Sequence, residues 1–297
     1  LRRSYDQAVL IPSSLIRRFA ETTTHALYAW REAREKSDFP AFAPWLEKVV
    51  ELNREKAECL RKSPDEDRYD ILLDEYEPGA KTAEIAEVFD NLRAQLVPLI
   101  AEVTESGNRP DDRIHHIAVP IATQMEFNRA TAAAVGFDFD AGRLDTSTHP
   151  FCQGVGAGDT RITTRYREEG FFDALSSTLH EAGHALYEQG LPKAEYPGQP
   201  LADSVSLGIH ESQSRMWENF VGRSEPFWRW ALPRARAAFG EPLAGVEVDE
   251  VYAAMNIVQP NLIRVESDEA TYNLHIMLRF DLERAILSGD LPVADLP

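Results

Sequence analysis

Two histidines and a glutamate stand together in His180-Glu181-Ala182-Gly183-His184. If this stretch is helical, positions i and i+4 share one face, and both imidazoles can turn a ring nitrogen toward a single ion. Zinc accepts such nitrogens at about 2.0–2.1 Å. Glu181, next to the first histidine, would reach a metal-bound water without itself binding the metal. The competing reading is a solvated helix face with two unrelated histidines. Leu179, Ala182, Ala185 and Leu186 argue against it, because apolar flanks imply partial burial and buried histidines need partners.

A catalytic zinc takes three protein ligands and keeps one position open. Downstream, His210 and Glu211 lie in Ser206-Leu207-Gly208-Ile209-His210-Glu211-Ser212-Gln213. Gly190, Pro192, Pro197, Gly198 and Pro200 intervene and can turn the chain back. A second helix antiparallel to the first would then carry His210 or Glu211 over the ion. Neighbours on a helix point about 100° apart, so only one of them can ligate. Spacing alone does not choose between them.

These residues need elements to hold them, and helical periodicity dominates the chain. Residues 173–190 predict one helix that ends at Gly190, with Pro192 beyond it. Gly183 inside that helix costs about 1 kcal/mol relative to Ala, which points to close packing or substrate approach. Upstream, Ser13 or Ser14 would cap a helix through Ile16, Phe19 and Trp30. Pro40 opens a second, a third runs from about Lys81 to Glu105, and a fourth follows Pro120 to Gly136. Between Phe137 and Tyr166 the pattern changes. Gly142–Ser147 and the β-branched run Thr160–Tyr166 predict a small antiparallel sheet. The expected fold is mainly α: a single large helical domain, residues 1–297, with a catalytic cleft and that sheet beside the histidine helix.

Bulk properties narrow the function. A net charge of −18 argues against nucleic-acid binding, which needs clustered Lys and Arg. No stretch approaches the roughly 20 apolar residues of a membrane span. Two cysteines, Cys59 and Cys152, are too few for a disulfide framework or a thiolate zinc site. Reduced thiols and the lack of an apolar leader behind Leu1-Arg2-Arg3 fit a cytoplasmic protein.

The histidine motif followed by His210-Glu211-Ser212-Gln213 resembles the M32 metallocarboxypeptidases, the carboxypeptidase Taq type. His149-Pro150-Phe151 resembles the family's HPF element, and Asp159-Thr160-Arg161-Ile162-Thr163 its DxRxT element. Ile263-Arg264-Val265-Glu266-Ser267-Asp268 resembles IRxxAD, with Ser267 in place of the usual Ala. The family's last motif, GxxQDxHW, has no counterpart, so the chain looks like the central part of such an enzyme, truncated at both ends.

The resemblance implies a metallocarboxypeptidase that hydrolyses the last peptide bond of peptides with a free C-terminus, with broad side-chain preference. It implies Glu211 as third ligand after His180 and His184, with His210 in support and Glu181 as general base. Zinc is the expected metal, with cobalt or another divalent ion as substitute. Arg264 is expected to grip the substrate carboxylate, and its fork geometry suits that task. His149 would contact substrate, with a core histidine as its plainer role. Asp159 and Arg161 would form an ion pair bracing the cleft wall. Asp268 would orient a ligand imidazole from behind. A homodimer is also implied. Two other functions stand beside this one: an M3-like oligopeptidase, and an inert metal-binding remnant.

Overall fold

The structure is a computed structural model, and it describes residues 2–296. The chain divides into two compact units. One comprises residues up to Val97 and from Tyr272 onward; the other is Pro98–Thr271.

In the first unit, α1 (Arg2–Leu10), α2 (Ser13–Lys36), α3 (Phe39–Leu60), α4 (Arg68–Leu73) and the start of α5 (Thr82–Glu105) follow in order. Leu15, Ala26 and Ala33 of α2 and Leu52 and Ala57 of α3 are buried. Asp38 caps α3 by accepting from the Ala41 amide at 3.1 Å. Neither Ser13 nor Ser14 caps α2, contrary to expectation. The Pro12 carbonyl takes the Leu15 and Ile16 amides instead, and both serines fall within the first turn.

The second unit builds the site. It holds α6 (Ile121–Ala134), β1 (Gly142–Thr146), β2 (Phe151–Gly156), β3 (Asp159–Thr164), α7 (Phe171–Gly190), α8 (Leu207–Arg215), α9 (Glu225–Phe239) and α10 (Val248–Met255). A π-helical stretch, Met216–Val221, continues α8. A 3-10 turn at Arg264–Glu266 precedes α11 (Glu269–Ser288). Phe171, Phe172, Leu175 and Leu179 recur at helical spacing on α7 and pack with Phe127, Trp228, Leu232, Val251 and Met255 into one core. Burying one such side chain stabilises by about 1.5–3 kcal/mol.

The small sheet lies beside α7, as expected, but its pairing is not all antiparallel. Its order is β1-β3-β2, with β1 parallel to β3 and β2 antiparallel to it. The two strands foreseen in the sequence are therefore parallel neighbours. Ile162 of β3 packs with Ala182 and Ala185, so the sheet backs the face of α7 that carries Glu181. Among the described residues, no helix is long and apolar enough to cross a membrane.

Candidate metal centre

α7 carries His180 and His184 one turn apart, with their apolar neighbours locked in the core. α8 is started by Ser206, whose hydroxyl accepts from the Ile209 amide at 3.1 Å. The crossing of α7 and α8 is very close. A Cβ on Gly183 would lie 2.5 Å from the Gln213 carbonyl oxygen and 2.6 Å from Ser214 Cα. Close packing is thus the reason for glycine inside α7.

That approach brings Glu211 over both histidines. Its Oε2 lies 3.7 Å from His180 Nε2 and 3.1 Å from His184 Nε2. One ligand atom from each of these residues falls within 4.8 Å of the others. Tetrahedral ligands at 2.0–2.1 Å from zinc stand about 3.4 Å apart, so the spacing suits an ion at their centre. Ser214 donates to the Glu211 backbone oxygen at 2.7 Å and to Oε2 at 3.2 Å, which fixes the carboxylate. The Glu211 side chain is 41% exposed, leaving that side of the cluster accessible to water.

The remaining ring nitrogens are also held. His180 Nδ1 lies 2.8 Å from Glu218 Oε2, and the same oxygen accepts from Arg215 at 3.0 Å. His184 Nδ1 meets His210 Nδ1 at 2.5 Å, and His210 Nε2 meets Glu188 Oε1 at 2.8 Å. Lys193 pairs with Glu188 in turn. His210 therefore stands behind His184, while Glu211 joins the cluster.

Charges follow from these contacts. Burial pushes the Glu181 carboxyl up, and the neighbouring His180 and His184 only partly offset it. For His180, burial favours the neutral ring, yet the Glu218 carboxylate outweighs that and its pKa is raised. Burial opposes ionisation of Glu211, but the hydrogen bond from His184 and both imidazoles hold it below the usual range. Glu218 is likewise lowered, because His180 and Arg215 outweigh its burial.

Other residues singled out in the sequence lie elsewhere in the unit. His149 is exposed, so it is no core histidine, and its carbonyl accepts from the Ser147 hydroxyl at 2.6 Å. Asp159 and Arg161 form the expected ion pair, with contacts of 2.9 and 2.8 Å on the exposed face of β3. Arg264 is half-buried in its 3-10 turn. Asp268 accepts from the Gln259, Ala270 and Thr271 amides and from the Thr271 hydroxyl, capping α11. The carboxylate on a cluster imidazole is Glu218 instead. Sequence reasoning missed Glu218 and Glu188, although helix spacing carried a signal for each. Glu218 is two turns beyond Glu211, and Glu188 is one turn beyond His184. Cys59 and Cys152 are unpaired thiols; burial, with Glu181 and Glu188 nearby, pushes Cys152 up to about 12.

Two imidazoles from one helix and a carboxylate from the next, with a buried glutamate beside them, form the donor set of a metallopeptidase centre. Comparison with known proteins agrees. The profile of the carboxypeptidase Taq (M32) metallopeptidases matches residues 1–297, and the chain belongs to that family. It is 46% identical over 303 residues to thermostable carboxypeptidase 1 of Thermus thermophilus, covering all of this chain and 59% of that protein. Carboxypeptidase 1 of Bacillus subtilis is 40% identical, with 58% of its length covered. The crystal structure of the M32 carboxypeptidase from Deinococcus radiodurans superposes with a TM-score of 0.94 at 43% identity, covering 99% of this chain and 59% of that one. The chain thus spans about three fifths of the length of the relatives it matches.

Proposed function

We propose that this chain carries the working centre of a zinc-dependent carboxypeptidase that removes the last residue of peptides with a free C-terminus. The observation that carries the reading is the convergence of His180, His184 and Glu211 with Glu181 beside them. Their donor set suits zinc, and cobalt or another divalent ion can take the same place. When bound, the ion supplies Lewis acidity, which lowers the pKa of water and polarises a carbonyl.

The chain's own residues would do the rest. Glu181 would accept a proton from the attacking water at its carboxylate and pass it to the leaving amine. Its setting supports that role, since burial favours the protonated form and two adjacent histidines favour release. Arg264 would clamp the substrate carboxylate through paired N–H donors, and exposed His149 would touch the peptide. The Asp159–Arg161 pair would stiffen the sheet behind the site. The relatives' names, all carboxypeptidases, support an exopeptidase. On the resemblance alone the working form would be a homodimer, and the unpaired thiols favour a cytoplasmic setting.

N-blocked dipeptides and their C-terminally amidated counterparts test this, with bound metal measured in parallel. The free acids should be cleaved and the amides spared. Equal cleavage of both would point to an oligopeptidase and remove Arg264 from its role. Bound metal without turnover on either substrate would mark an inert metal-binding chain.

A further inference from the structure

His180 Nε2 points toward the Glu211 side of the cluster, so its Nδ1 is the ring atom left to be fixed. Glu218 Oε2 sits 2.8 Å from that nitrogen. A carboxylate there requires Nδ1 to carry the proton and donate it. In the neutral ring that a metal ligand must be, Nε2 is then the lone-pair atom. Glu218 is itself held, because Arg215 donates to the same oxygen from one turn earlier. The two sites on the His180 ring are thus bracketed by two carboxylates, Glu211 and Glu218, spaced two helical turns apart.

The backbone is shaped for this contact. Glu218 lies within the π-helical stretch Met216–Val221, a winding that is rare and often found at functional sites. Gly183 allows Gln213 and Ser214 to press onto α7. Gly222, just after the π stretch, has no room for a side chain either. A Cβ there would lie 2.6 Å from the Glu218 carbonyl oxygen and 2.8 Å from Leu179 Cδ1. Gly183 and Gly222 therefore leave room for the α8–π segment to lie close against α7 near His180.

His184 is held differently. Its Nδ1 faces a second imidazole, His210, which leans on Glu188 and Lys193. Of these two ligand histidines, His180 is the one with a carboxylate on its outer nitrogen among the described residues.

We propose that Glu218 is the positioning residue of the metal centre, fixing the tautomer and orientation of His180 by a direct carboxylate hydrogen bond. This inference rests on the metal-centre reading above and adds to it a group outside the cluster. Loss of such an outer partner typically weakens metal binding about 10–100-fold.

The test compares zinc affinity of the intact protein and Glu218→Gln by competition with a coloured chelator. The glutamine keeps an oxygen acceptor for both His180 and Arg215 but removes the charge. Affinity should fall about 10–100-fold in a variant whose metal-free form still unfolds cooperatively. The visible spectrum of the cobalt-loaded variant should shift as well, which a purely structural role would not produce. Should the glutamine variant fail to fold, Glu218→Asp decides: its charge remains, its reach shortens, and zinc affinity should still fall. Wild-type zinc binding with unchanged affinity in the folded variant would overturn the positioning role alone. A wild-type protein that binds no divalent metal would sink the metal centre and this inference together.

Discussion

Burial and charge pull in opposite directions at Glu181, and that balance makes it the residue to change first. It is only 6% exposed, and its carboxyl is pushed up by burial despite two flanking histidines. Glu181→Gln should keep its metal and lose about 10²–10⁴-fold in kcat/KM, the usual contribution of a positioned general base. Metal analysis beside peptide hydrolysis checks this, and a variant that keeps its activity removes Glu181 from the proton path. Glu211→Gln and His210→Ala separate the alternatives that spacing left open. Metal should be lost with Glu211→Gln and largely kept with His210→Ala, since His210 reaches the cluster through the outer nitrogen of His184. At this scale the sequence was informative where spacing is rigid, as between His180 and His184. At Asp268 spacing is less telling, because a shorter-range partner takes the carboxylate in this structure. Thr271 lies three positions after Asp268, and helix capping takes up the carboxylate locally.

Among the elements, α7 was the most legible. Its apolar face repeats at helical spacing and its end is marked by glycine and proline. The sheet was only half legible. β2 carries glycines without clear alternation, so it gave no strand signal. Parallel pairing of β1 with β3 depends on a tertiary arrangement that local patterns do not encode. The π winding after α8 was hidden too, because Met216–Val221 reads as an ordinary continuation of an amphipathic helix. The α7–α8 crossing yields a direct prediction. Gly183→Ala places a methyl group 2.5 Å from the Gln213 carbonyl oxygen and must spread the helices. We expect a loss of about 1–3 kcal/mol in stability, as for other overpacked sites, together with weaker metal binding. Denaturant unfolding measures the first and chelator competition the second. A variant as stable as the wild type would show that the crossing is slack.

For the molecule as a whole, two tyrosines set an alkaline limit. Tyr69 is pushed up to about 12 by burial and then by the charge of Glu283, and Tyr166 to about 12 mainly by burial. Both values lie above the ordinary phenol near 10. The folded state therefore favours the neutral phenols. Stability from them is complete below pH 10 and is lost as pH rises toward about 12. The melting temperature should fall across that window, and Tyr69→Phe with Tyr166→Phe should flatten the fall. An unchanged slope would contradict it.

Metal should act on stability in the opposite sense, because an ion that binds only the folded chain stabilises it. At a free concentration 100 times its Kd the gain is about 2.7 kcal/mol. The most direct measurement of the central claim is anomalous diffraction at the zinc edge from crystals of the zinc-loaded protein. The account predicts one strong peak within about 2.0–2.1 Å of His180 Nε2, His184 Nε2 and a Glu211 carboxylate oxygen. A peak ligated by His210 in place of Glu211, or no peak at this cluster, would contradict it.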